Sequence, residues 1–159
     1  PNAVALRFVS RRPLHILRAV LGSRPLLRPR IDAFIIVGGC AGVARLRFGP
    51  GKWFRIPDAN VFKDPAAAGS VLRSGVPIVL TPIAVGGKLT IDRQDSRRLK
   101  ASGPAGEYLS RKSNWWLLFW IDIVKLTGAQ LFDALGVITA VRPELLRTYN
   151  RYADVDLAG

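Results

Sequence analysis

At 159 residues and 17.4 kDa, 49% hydrophobic and 22% charged, the chain is sized for one domain with a substantial core, which excludes wholesale disorder, a coiled coil and a collagen-like rod. Its single cysteine, Cys40, excludes an intramolecular disulfide and an all-cysteine zinc site; the longest strongly apolar block, Trp115 to Ile121, falls well short of the roughly 18 to 20 residues that span a bilayer. Twenty-four Lys and Arg against eleven Asp and Glu give a formal charge of +13 and a pI near 11.2, which favours a polyanionic partner.

In chain order, Val4 to Val9 reads as a short buried strand, followed by a turn at Arg11 to Pro13 and a helix from Leu14 to about Leu21 that Gly22 and Pro25 end. Ile31 to Val37 is a second buried strand, running into Gly38-Gly39, where backbone can approach a ligand or simply turn tightly. Cys40 to Pro57, broken by glycines and prolines, is a long loop or small hairpin. Asp64 and Pro65 then open a helix, a capping carboxylate followed by proline at the first helical position, with Ala66 to Leu72 behind them. Pro77 to Thr81 supplies another short strand. Asp92 to Gly106 is a polar tract expected to face solvent, and Glu107 to Lys125 contains one or two amphipathic helices. Ala129 to Val141 reads as a helix closed by Arg142-Pro143, and the residues beyond Tyr149 look peripheral. The expected organisation is one α/β domain over residues 1–148 and a tail over 149–159.

This rhythm is that of a three-layer α/β domain with a mostly parallel sheet. Ligands in such sheets sit beyond the carboxyl ends of strands. Candidate site segments are therefore Ser10 to Arg12, Gly38 to Cys40, Asp58-Ala59-Asn60 and the residues just after Leu80.

Several stretches, in order, carry a family likeness. Pro57-Asp58-Ala59-Asn60 precedes Asp64-Pro65-Ala66-Ala67-Ala68 and then Ser74-Gly75-Val76-Pro77; Pro13-Leu14, Val37-Gly38-Gly39, Pro82-Ile83-Ala84-Val85 and Phe132-Asp133-Ala134-Leu135 complete the series. From about residue 3 to about residue 146 the chain resembles the C-terminal two thirds of the inosine-uridine nucleoside hydrolase family. The resemblance implies a partial nucleoside-hydrolase-like, Rossmann-like fold.

In that family the resemblance implies a calcium ion held by an Asp-rich loop, a backbone carbonyl and a late Asp, with a His aiding the departing base. Carried over, the carbonyl falls at Arg11 and the late Asp at Asp133, too few oxygens for the six to eight ligands that calcium takes. Calcium is thus a cofactor only if the chain is an enzyme. Phe132 stands at the histidine's position and cannot donate a proton. Asp58 takes the place of a ribose-binding Glu, and Asn60 is retained and can still hydrogen-bond a sugar hydroxyl. These positions read as a degenerate active site. Simpler roles stand beside each: Asp64 and Asp133 as helix caps, Asp58 and Asn60 as turn residues, and His15, the sole histidine, as a packed or surface residue.

Charge then weighs on the functional reading. Residues 1 to 55 hold Arg7, Arg11, Arg12, Arg18, Arg24, Arg28, Arg30, Arg45, Arg47, Lys52 and Arg55 against one acid, Asp32, a cluster expected to contact RNA phosphates. Trp115, Trp116, Phe119 and Trp120 read as core or as a surface for a neighbouring protein. The expectation is an inactive structural subunit of a large ribonucleoprotein, a mitochondrial ribosome, with RNA and neighbouring proteins as partners. The alternatives are a divergent or truncated ribonucleoside hydrolase, or a basic accessory subunit of a membrane complex meeting acidic protein or anionic lipid. The chain has no Met, even at position 1, so it reads as processed, as a fragment, or as incompletely defined.

Overall fold

The computed structural model describes residues 6–10, 14–23, 25–39 and 45–156. The expected turn at Arg11 to Pro13, together with Arg24 and Cys40, lies outside these residues. Among the described residues no helix is long and apolar enough to cross a membrane.

Three parallel strands make the central sheet: β1 (Leu6–Ser10), β2 (Ile31–Val37) and β5 (Ile78–Thr81), in the order β1-β2-β5. β2 lies between the other two and is almost entirely apolar, as a parallel strand covered on both faces must be. Alternation along it divides the core. Phe34 and Ile36 face helices α1 (His15–Ser23) and α2 (Pro65–Leu72), meeting Leu14, Leu17, Ala68 and Val71 in one buried cluster. Val37 faces the other way, towards α6 (Phe132–Val141), where a Cβ added to Gly136 would lie 2.6 Å from Val37 Cγ2 and 3.1 Å from Val9 Cγ1. The expected three-layer α/β architecture with a parallel sheet is thus present.

α2 begins as its sequence dictates. The Asp64 carboxylate accepts from the Ala67 backbone N–H at 2.9 Å, and Pro65 occupies the first turn, where its missing donor costs nothing.

A second core forms around Trp120, which is fully buried. The Gly/Pro-punctuated segment is a hairpin, β3 (Arg45–Phe48) with β4 (Phe54–Pro57), paired antiparallel. Its alternation puts Phe48 and Phe54 inward, at ring-centroid distances of 5.1 and 5.8 Å from Trp120, while Arg45, Arg47 and Arg55 are exposed. Trp116, Phe119 and Phe132 complete the ring of aromatics at 5.5, 5.4 and 6.0 Å.

The polar tract from Asp92, largely exposed as expected, is helical: Asp92 and Asp95 form a reciprocal capping box that starts α4 (Arg93–Ala101), and Gly103 then leads into α5 (Pro104–Leu117). One expectation is corrected: Ala129–Gln130 is not helical but forms β7, pairing antiparallel with β6 (Thr90–Ile91) before α6 begins. A short helix, α3 (Ile83–Gly86), follows β5. α5 runs into a π-helical turn, Leu118–Ile123, sealed by Val124 N–H donating to Phe119 O at 2.9 Å. Beyond Tyr149, Asp154 pairs with Arg73 at 2.8 Å and Val155 packs against the first core.

Candidate active site

The carboxyl ends of β1, β2 and β5 lie side by side, Ser10 opposite Ile36 and Val37 opposite Thr81. Here β2 leaves the sheet through Gly38 (φ 154°) and Gly39 (φ 86°), conformations that side chains resist. A Cβ on Gly38 would sit 3.3 Å from the Asp58 carboxylate and 3.4 Å from Asn60 Cβ. The paired glycines are therefore needed both for their backbone angles and for the close approach of Asp58-Ala59-Asn60.

Asp58 and Asn60 are both buried and act on the same turn. One Asp58 oxygen accepts from the Gly39 backbone N–H in a short hydrogen bond, and the other accepts from Asn60 N–H at 2.8 Å. Asn60 Nδ2 donates to the Val37 carbonyl at 2.6 Å. The opposite flank is tied down by Gly38 N–H donating to Thr81 O at 3.0 Å, by Ile83 N–H donating to Gly39 O at 3.2 Å, and by Thr81 Oγ1 donating to Ile36 O at 3.0 Å. The result is a rigid polar floor at the sheet's carboxyl edge. A carboxylate has about four lone-pair sites, so Asp58 retains capacity to accept ligand hydroxyls after its two backbone donors are served.

Phe132 and Asp133 open α6, whose close seat on Val9 and Val37 at Gly136 carries the helix start towards the same edge. The Phe132 ring is held against Trp120 and Phe48, the latter at 6.2 Å, so it offers an apolar wall and no proton. Asp133 is exposed in the first turn. His15, at the start of α1, is also exposed.

The calcium that the resemblance implies is poorly matched by these donors. Among the described residues no three His, Cys, Asp or Glu side chains gather to hold a metal ion. Arg11, whose carbonyl the resemblance assigned to the metal, lies outside the described residues.

The remaining sequence candidates separate. Arg7, Arg18, Arg28, Arg30, Arg45, Arg47, Lys52 and Arg55 are all exposed, and Arg7 is paired with Asp32 at 2.6 Å. Arg12 and Arg24, like Arg11, fall outside the described residues. Of the aromatic block read as core or as a partner surface, Trp120 is the centre of the second core, Trp116 donates its indole N–H to Gln130 O at 2.7 Å, and Phe119 packs against Phe54; Trp115 is 79% exposed. What the sequence did not disclose was the role of Asp58 as a brace of the Gly38-Gly39 turn. The only prior signal was a polar Asp-x-Asn beside an apolar strand pattern.

Comparison with known proteins bears on all of this. A family model described as inosine-uridine preferring nucleoside hydrolase matches residues 12–159. The pyrimidine-specific ribonucleoside hydrolase RihA of Citrobacter koseri is 30% identical over 142 residues, covering 88% of this chain and 43% of that protein; RihA of Escherichia fergusonii is 29% identical, covering 99% and 49%. Among solved structures, the purine-preferring ribonucleoside hydrolase from Gardnerella vaginalis superposes with a TM-score of 0.77 at 25% identity, over 97% of this chain and 48% of that one. A plant nucleoside hydrolase gives 0.73 at 23% identity, covering 89% and 43%, a likeness of fold alone. The chain spans about half the length of the curated relatives it matches.

These findings overturn two expectations. The family match is not confined to a C-terminal two thirds: it runs through nearly the whole chain, over residues 12–159. The inactive RNA-binding subunit of a mitochondrial ribosome, with RNA and assembly proteins as partners, is also overturned, because the relatives are ribonucleoside hydrolases rather than ribosomal proteins. The physical source of the error is the weight placed on net charge. Arg45, Arg47 and Arg55 form the solvated outer face of a hairpin whose inner face builds the second core.

Proposed function

The chain belongs to the inosine-uridine preferring nucleoside hydrolase family, and we propose that it takes part in hydrolysis of the N-glycosidic bond of a ribonucleoside, pyrimidine ribonucleosides first. The observation that carries this reading is the floor at the end of β2, where Asp58 and Asn60 flank the positive-φ Gly38-Gly39 turn. Support for pyrimidines comes from the pyrimidine-specific relatives.

In this reaction the oxygen of water bonds to C1′, the C1′–N bond breaks, and the base leaves with the bonding electrons and gains a proton. The floor contributes by binding. Asp58 accepts sugar hydroxyls with the lone pairs its backbone donors leave free, and Asn60 adds a neutral polar contact. A carboxylate here also favours the positive charge that grows on the sugar ring as the bond lengthens. Because hydrogen bonds from the end of β5 and from Asp58 and Asn60 hold the turn, the sugar meets groups that need no rearrangement. Phe132 gives the base an apolar contact, and protonation of the leaving base falls to water.

The test is ribose release from uridine, cytidine and inosine by the full chain, against Asn60→Ala. Ribose formation with uridine or cytidine that Asn60→Ala lowers at least about tenfold supports the reading. No release above the uncatalysed rate with any of the three overturns it.

A further inference from the structure

We propose that the groove between α4 and α5 binds a phosphate monoester of a small metabolite. The two helices run antiparallel and touch at Gly106, where even a Cβ would lie 2.0 Å from Leu99 O. Beside that contact their side chains line a cavity of about 370 Å³, enough for a phosphorylated pentose and within the range of small-ligand sites.

The walls carry an unbalanced charge. Arg93, Arg97 and Lys100 line it from one face of α4, and Arg111 lines it from α5; Glu107 is the one carboxylate among its lining residues. Arg93 is held by Asp122 at 2.5 Å, and Arg111 lies over the Tyr108 ring at 5.9 Å. Among the described residues, neither Arg97, Lys100 nor Arg111 has a carboxylate within ion-pairing distance. Like charges three and four residues apart work against a helix, and this helix has little apolar surface to offset them. A bound dianion would neutralise them.

The floor supplies a second observation. Ser96 and Ser110 are 6% and 7% exposed, and their hydroxyls share one hydrogen bond at 2.9 Å. One proton serves that bond. The other meets no acceptor among the described residues and lies at the base of a cationic groove. A hydroxyl donor beneath guanidinium and ammonium groups is a donor set suited to phosphate oxygens, and Asn114 on the wall can meet a sugar hydroxyl. This groove shares no residue with the floor at Gly38-Gly39, so the inference stands apart from the proposed reaction.

The experiment is calorimetric titration of the full chain with ribose 5-phosphate, inorganic phosphate and ribose. Expected are saturable one-to-one binding of ribose 5-phosphate, weaker binding of inorganic phosphate and none of ribose. Arg97→Ala with Lys100→Ala, both at exposed helical positions that tolerate alanine, should weaken binding at least about tenfold, and Glu107→Gln should tighten it. Arg98→Ala with Lys112→Ala removes the same charge outside the groove and should change affinity less than about twofold. Circular dichroism checks that each variant keeps its helices. Absence of saturation, equal weakening by the two double variants, or binding of inorganic phosphate as tight as that of ribose 5-phosphate would overturn the proposal.

Discussion

Replacing Asp58 with alanine removes the acceptor for two backbone donors at once, Gly39 N–H and Asn60 N–H. Hydrogen bonds to a charged partner contribute about 1.5–3 kcal/mol each; Gly39 is only partly buried, so water can replace part of its loss, and a total near 3 kcal/mol follows. Against a stability of about 5–15 kcal/mol for an ordinary domain, the variant should remain folded, with its melting point lowered by roughly 6–12 °C. Asp58→Asn keeps one acceptor but sets its NH₂ against the other backbone N–H, so it should recover no more than about half of the loss. Equilibrium urea unfolding followed by tryptophan fluorescence measures both, the midpoint falling at an unchanged slope. An Asp58→Ala unfolding free energy within about 0.5 kcal/mol of the parent would refute the claim that this carboxylate braces the turn.

Other positions give contrasting outcomes. Gly136→Ala forces a methyl into Val37 and Val9 and should cost about 1–3 kcal/mol in the same unfolding assay. Trp120→Ala should cost about 3–5 kcal/mol and Trp115→Ala, at an exposed site, less than about 0.5 kcal/mol; Trp120→Phe should be mild, since its buried indole N–H has no acceptor among the described residues. The Asp92 carboxyl is held below its ordinary value of 3.8, first by the Asp95 backbone N–H, then by Gln94 N–H and the charge of Arg98. A carboxylate with a depressed folded value stabilises above its unfolded value and loses that effect as pH falls through the folded one. Protection of the Asp95 amide, taken against its intrinsic exchange rate at each pH, should therefore fall on acidification below the ordinary carboxylate range, and Asp92→Asn should flatten that dependence.

Legibility in the sequence followed how local each signal was. β2 lies at the expected Ile31 to Val37, because a run of β-branched and aromatic residues ending in Gly-Gly has no competing pattern. The cap at Asp64 was equally local. The polar start of α4 was obscured because its hydrophobic stripe is nearly absent and only the Asp92–Asp95 capping box marks it. Ala129–Gln130 was drawn into a helix because the apolar letters continue into α6; its partner, Thr90–Ile91, is almost forty residues away and invisible to periodicity. In the site, the residues Gly38, Gly39, Asp58 and Asn60 were visible as candidates. Their hydrogen-bonded union was not, since it depends on the chain returning to the end of β2 after the β3–β4 hairpin.

Chemical-shift mapping of the isotopically labelled chain, titrated with uridine to saturation, tests the central claim that this floor binds the sugar of a ribonucleoside. The account predicts that the backbone amides of Gly38, Gly39 and Asn60 and the side-chain amide of Asn60 shift together with one dissociation constant, and that 2′-deoxyuridine moves them more weakly. Saturable shifts elsewhere, with these four signals unmoved, would contradict it.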